Sequence, residues 1–167
     1  AMACERVSGE EVMIKWPNDL VARGKKICGM LLEMGAGMDG VEWAVIGIGI
    51  NVIGNEFPDE LQDKAGNLAE IAGKQLERAA LVREFLNQFE RLYNQYQLSG
   101  MSAIYTLYRN RSVTLGRQVR AICPDGEYLG VARDIDEDGT LILETQEGNT
   151  LRLRVGDVSV RGVMGYV

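Results

Sequence analysis

The chain has 167 residues, 46% hydrophobic and 25% charged, the balance of a globular protein with one domain or two small ones. Its 24 acidic and 18 basic residues leave a net charge of −6, which argues against nucleic-acid binding by this region, because neutralising phosphates takes clustered Lys and Arg in excess. Histidine is absent, which excludes Ser-His and Cys-His nucleophile pairs and His-ligated metals.

No apolar run approaches the roughly 20 residues of a membrane span, and the first residues lack a signal-peptide profile, so a cytoplasmic location is expected. Cys4, Cys28 and Cys123 are odd in number and widely spaced, without a C-x-x-C pair, and read as buried thiols of a reducing compartment.

In chain order, residues 1–7 have helical composition without a capping residue ahead of them. Residues 12–16 read as a short buried strand, ended by the turn residues Pro17, Asn18 and Asp19. Residues 20–22 and 27–34 predict two strands around an Arg23-Gly24-Lys25 turn, and residues 41–51 a third after a glycine-rich loop at 35–40, together an antiparallel meander. Residues 57–66 read as a loop with one helical turn, after which Asn67 caps a short helix to residue 72.

The strongest helical signal spans residues 78–98, where Val82, Phe85, Leu86, Phe89, Leu92, Tyr93 and Tyr96 predict one apolar face that packs inward. A short helix follows at 102–108. Beyond residue 112 come five short strands, at 118–123, 128–134, 140–144, 150–153 and 158–161, with Asp125-Gly126, Asp138-Gly139 and Gly148-Asn149 as turns. That spacing predicts a small β-barrel and divides the chain into domains at 1–112 and 113–167.

Two motifs fail on inspection. Gly35, Gly37 and Gly40 match G-x-G-x-x-G, but a strand follows where the dinucleotide fingerprint needs a helix, so a hairpin loop is expected. Asp134, Asp136 and Asp138 resemble the start of a calcium loop, yet Thr145 stands where a bidentate Glu is required, so a solvated hairpin tip is expected.

Three other features carry chemistry. Lys15-Trp16-Pro17-Asn18-Asp19 ends a strand in an amide and a carboxylate beside a lysine, which suits either a plain turn or a nucleotide and its metal. Gly47 and Gly49 strip one strand face of side chains, which suits either a flat ligand or a bulge or close backbone packing. Lys26 enters an apolar strand, where its charge faces either solvent or a phosphate or carboxylate.

The ordered set KWPNDL, KKICGMLLE and VIGIGINV resembles biotin protein ligases, and the resemblance extends through FPDEL to the terminal β-domain. It implies an α+β fold: a mixed or antiparallel sheet with helices, similar to class II synthetases, followed by an SH3-like barrel. The implied activity is ATP-dependent attachment of biotin, through biotinyl-5'-AMP, to a lysine of a biotin carboxyl carrier protein, with biotin and ATP as substrates and Mg²⁺ as the metal.

Carried over by motif, the resemblance makes Lys26 the catalytic lysine. It puts Lys26, Gly29, Leu31, Gly47 and Gly49 at biotin, and Lys15, Asn18, Asp19, Asn51 and Arg161 at ATP, with Asn18 and Asp19 near Mg²⁺. A homodimer through the catalytic sheet is also implied. The family's Gly- and Arg-rich loop, which precedes the KWPND strand, does not occur in these residues, so an incomplete and inactive fragment is expected. A non-catalytic module that binds biotin, nucleotide or carrier is the alternative; lipoate ligases, which share the fold, are more distant.

Overall fold

The 7-residue helix α1 (Met2–Ser8) opens the chain and stops at Gly9, whose left-handed backbone (φ 78°) turns the chain into the first sheet. In the computed structural model, residues 1–38, 40–54, 57–154 and 159–162 are described. The first sheet is a four-stranded antiparallel meander in the order β1 (Met13–Lys15), β2 (Asp19–Ala22), β3 (Lys25–Gly37), β4 (Gly40–Ile50). Arg23 (φ 46°) and Gly24 (φ 77°) make the tight β2–β3 turn, and Arg23 is held by a two-pronged ion pair to Glu10.

The expected glycine-rich loop at 35–40 is mostly strand: Gly35 and Gly37 belong to β3 and Gly40 opens β4, while Asp39 lies outside the described residues. Glycine is tolerated there because the Trp43 ring lies where a Gly35 side chain would stand.

After a 3₁₀ turn (Asp59–Leu61) comes α2 (Leu68–Ala72), capped as predicted by Asn67, whose side-chain oxygen accepts from Glu70 N–H at 2.9 Å. α3 (Arg78–Ser99) and α4 (Ser102–Asn110) complete the helices. The first core joins α1, β2 and β3 with Leu68, Leu76 and Leu81.

The predicted packing face of α3 is corrected. Leu81 and Gln88 are buried and Phe85 and Leu92 half-buried, but Val82, Leu86, Phe89, Tyr93 and Tyr96 are exposed. α3 packs on α1 and α4 along a stripe narrower than its apolar face. On the open side the rings of Phe85, Phe89, Tyr93 and Tyr96 cover one another, with successive centroids 5.8, 6.0 and 6.3 Å apart.

The five-stranded antiparallel second sheet has the order β8 (Thr150–Leu153), β7 (Leu141–Thr145), β6 (Gly126–Ile135), β5 (Gln118–Cys123), β9 (Ser159–Gly162), and is the small barrel-like unit expected; Val158 lies outside the described residues. Its core contains Val119, Ala121, Ala132, Ile135, Leu141, Leu143 and Val160, together with Trp16 from the end of the first sheet. The β6–β7 tip is the polar hairpin expected, with Glu137 and Asp138 exposed, and its carboxylates are tied in locally. Asp134 pairs with Arg109 at 2.6 Å, Asp136 pairs with Arg152, and Asp136 and Asp138 both accept from Thr140 N–H. Cys4 and Cys28 are buried free thiols as expected, and burial pushes the Cys28 thiol up to about 12; Cys123 is only half-buried.

Trp16 joins the two sheets. Its backbone N–H donates to Thr114 Oγ1 at 2.9 Å and its indole N–H to the Gly139 carbonyl at 2.9 Å, so its polar atoms are satisfied while its ring fills the second core. Tyr108 adds a hydrogen bond to the Pro17 carbonyl at 2.9 Å, and residues 111–113 pair with Ile14 at the β1 edge. Trp16→Ala is expected to cost about 3 to 5 kcal/mol, a large share of a typical domain's stability, read as a fall in the thermal or urea midpoint. A loss below about 1 kcal/mol would refute the joining role.

Candidate functional site

Antiparallel partners point to the same side of a sheet, so the register Asp19↔Gly29, Gly29↔Gly49 and Leu31↔Gly47 puts these five residues on one face. The three glycines leave a strip without side chains, bordered by the 63% exposed Leu31. An irregularity between β2 and β3 sets Val21 opposite Lys26 and Leu20 opposite Cys28, so Ile27 is the extra residue and Lys26 reaches back over Gly29. Lys26 Nζ lies 2.6 Å from Asp19 Oδ1.

Gly29 gives this arrangement its room. A Cβ on it would stand 3.2 Å from Lys26 Nζ and 3.5 Å from Asp19 Oδ1. At Gly47 and Gly49 the nearest atoms to a Cβ are backbone carbonyl oxygens at 3.7 and 3.8 Å, ordinary contacts. Neither close backbone packing nor a bulge therefore accounts for those two glycines. What they provide is an open surface.

Lys26, Gly29, Gly49 and Asn51 line one cavity of about 400 Å³, whose remaining wall is Cys28, Phe57, Leu61, Lys64 and Ala65. Leu31 and Gly47 lie further along the same face, outside the cavity. Asn51 follows β4 and is fixed through its backbone, its N–H donating to the Ile27 carbonyl at 2.8 Å and its carbonyl accepting from Leu68 N–H at 2.9 Å.

Lys15 faces Asp19 in the β1–β2 register and is 8% exposed. Burial pulls its pKa down, Lys26 and Arg161 push in the same direction, and Asp19 opposes them. Arg161, on β9 of the other sheet, thus acts on the same cluster as the residues of the first sheet. Within a chain of charge −6 this is a local concentration of cations suited to a polyanion.

Asn18 is occupied with structure: its side-chain amide donates to the Met30 carbonyl, while its own carbonyl accepts from Met30 N–H at 3.0 Å. Together with Asp19, whose carboxylate is engaged by Lys26, it offers one carboxylate and one amide. No group of three or more His, Cys, Asp or Glu able to hold a metal occurs among the described residues. These residues do not by themselves compose a Mg²⁺ site.

Phe57, Leu61, Lys64 and Ala65 were missed by sequence reading. The only signal was the apolar pair Phe57 and Leu61 at helical spacing within a loop. The arrangement can hold a flat apolar molecule on the glycine strip and an anionic group at the cluster, and it can act by charge and positioning.

The model of the biotin/lipoate A/B protein ligase family matches residues 3–51, and that of the biotin protein ligase C-terminal domain matches residues 114–161. The bifunctional ligase/repressor BirA of Bacillus subtilis is 42% identical over 146 residues, 86% of this chain and 45% of the relative. The biotin–[acetyl-CoA-carboxylase] ligase of Mycobacterium tuberculosis is 34% identical over 149 residues, 89% of this chain and 53% of that protein. The chain thus spans about half the length of these curated relatives.

Among solved structures, the biotin protein ligase of Aquifex aeolicus superposes with a TM-score of 0.84 at 27% identity, covering 96% of this chain and 69% of that one. The complex of that ligase with biotin and ATP gives 0.81, covering 96% and 66%.

The two kinds of glycine predict different outcomes. Gly49→Ala is expected to leave the melting temperature unchanged or slightly raised, since Ala is less flexible in the unfolded chain, while abolishing binding of a ligand laid on the strip. Gly29→Ala should disturb the Lys26–Asp19 pair. Equal ligand affinity in Gly49→Ala and the parent protein, measured by calorimetric titration, would rule out a ligand on this face.

Proposed function

This chain belongs to the biotin protein ligase family, and from that premise we propose that it is part of an enzyme that attaches biotin to a lysine of a biotin carboxyl carrier protein with ATP as co-substrate. The observation that carries the reading is the Lys26–Asp19 pair, set over Gly29 at the rim of a 400 Å³ cavity that continues onto the glycine strip. Biotin lies on the strip formed by Gly29, Leu31, Gly47 and Gly49. Its carboxylate approaches Lys26.

In this proposal a carboxylate oxygen of biotin attacks the α-phosphorus of ATP and pyrophosphate departs, leaving biotinyl-5'-AMP. The carrier lysine's amine then attacks the acyl carbon and AMP leaves. Lys26 neutralises the two anions that must meet, and Lys15, Asn51 and Arg161 face the nucleotide; Asp19 keeps Lys26 aimed, and Asn18 anchors the loop to β3. Lys15 is well suited to this role, because a polyanion offsets the burial that chiefly pulls its pKa down and, with it, the repulsion from Lys26 and Arg161. Proximity and charge suffice, and no protein nucleophile is needed. Mg²⁺ enters only as the companion ion of ATP.

Residues 1–112 and 113–167 form two domains in this reading, the second bringing Arg161 to the first. The alternative, a non-catalytic module for biotin, nucleotide or carrier, is kept distinct by the assay. Calorimetric titration with biotinyl-5'-AMP is expected to saturate, with Lys26→Ala weakening it at least about tenfold. Biotin-dependent exchange of labelled pyrophosphate into ATP reports catalysis. Binding without exchange supports the module; biotinyl-5'-AMP affinity that is indifferent to Lys26→Ala overturns the assigned site.

A homodimer through the catalytic sheet belongs to the same proposal. The β3–β4 hairpin exposes Leu32, Met34, Val41, Trp43, Val45 and Ile46, and the outer edge of β4 pairs with no other described strand. Sedimentation should give a concentration-dependent dimer in the parent and a monomer in Val45→Lys. A parent that sediments as a monomer at all concentrations removes the dimer.

A further inference from the structure

The cavity wall contributed by residues 57–66 is fastened to the backbone of Lys26 on both sides. Lys26 N–H donates to the Lys64 carbonyl at 2.7 Å, and Gly66 N–H donates to the Lys26 carbonyl at 3.0 Å, with a parallel bridge between Lys26 and Ala65. The segment is closed on itself, because the Leu61 carbonyl accepts from both Lys64 N–H (2.9 Å) and Ala65 N–H (2.7 Å). The Lys64 backbone is therefore held at a set position relative to Lys26, on the same cavity.

The two lysines that line the cavity differ in electrostatic state. The charge of Lys26 is compensated by Asp19 at 2.6 Å, whereas Lys64 makes no ion pair with the described residues. An arriving polyphosphate needs charge that is not already matched, and a lysine ammonium on a flexible four-carbon stem supplies it as a movable point charge with three donors. Asn51, which is neutral, lines the same cavity.

We propose that Lys64 is a second phosphate-binding residue, which takes the polyphosphate of ATP and holds the departing pyrophosphate while Lys26 serves the carboxylate and the α-phosphate. The inference rests on the nucleotide reading above and adds a residue and a division of labour to it. The carbonyl that holds Lys26 belongs to the backbone, so removing the Lys64 side chain removes charge without releasing Lys26.

The test titrates the purified protein with ATP and with inorganic pyrophosphate at several salt concentrations. Lys64→Ala is expected to weaken both about tenfold and to flatten their salt dependence, with biotin affinity and melting temperature unchanged and Lys64→Arg restoring most of the loss. Lys64→Gln, which keeps the stem, repeats the test if Ala lowers the melting temperature. Unchanged binding of both ligands in Lys64→Ala, with loss in Lys26→Ala, overturns the role of Lys64 and leaves the nucleotide site standing. Absence of ATP and pyrophosphate binding in the parent overturns the nucleotide reading, and this proposal with it.

Discussion

The burial of Trp16 is the interaction on which the remaining geometry depends. The residue leaves the first sheet directly after β1 and is only 2% exposed within the core of the second. An aromatic side chain of about 150 to 250 Å² is worth roughly 4 to 6 kcal/mol as an upper estimate at ~25 cal/mol per Å², enough to hold two small cores together. Lys15 precedes it by one residue and Asp19 follows by three, so both are carried at a set distance from the barrel-like sheet. Arg161 on β9 then falls within electrostatic reach of Lys15.

A cluster of cations within an acidic chain has to be assembled against desolvation and its own repulsion, and Lys15 shows it: burial, and after it the charges of Lys26 and Arg161, pull its pKa down. Asp19 offsets part of it, pairing directly with Lys26. The pair can lie flat on the sheet because residue 29 has no side chain. Backbone hydrogen bonds from residues 64 and 66 then fix the strand at Lys26, so a flexible side chain leaves a well-defined origin. Positioning at this site is a property of the main chain, and the side chains supply charge.

The elements that present the site also expose many large apolar side chains. Both faces of the β3–β4 hairpin are apolar, the pattern of a strand pair meant to be covered, and the open side of α3 continues the theme with an aromatic ladder. Period-3.6 spacing on α3 correctly implied a helix, yet it said nothing about which part of a wide apolar face would find a neighbour. That was decided by where α1 and α4 lie.

The meander, the long helix, the cap at Asn67 and the five short strands were legible because each depends on residues close together in the chain: turn glycines, capping side chains and hydrophobic periodicity. Ordered motifs likewise pointed to the family and to Lys26, Gly29 and Gly49 on one surface. Two things depended on tertiary structure: the insertion of Trp16 into the second core and the closing of the cavity by residues 57–66. Each is a contact between residues tens of positions apart, and local periodicity carries no information about which distant surface a side chain will meet.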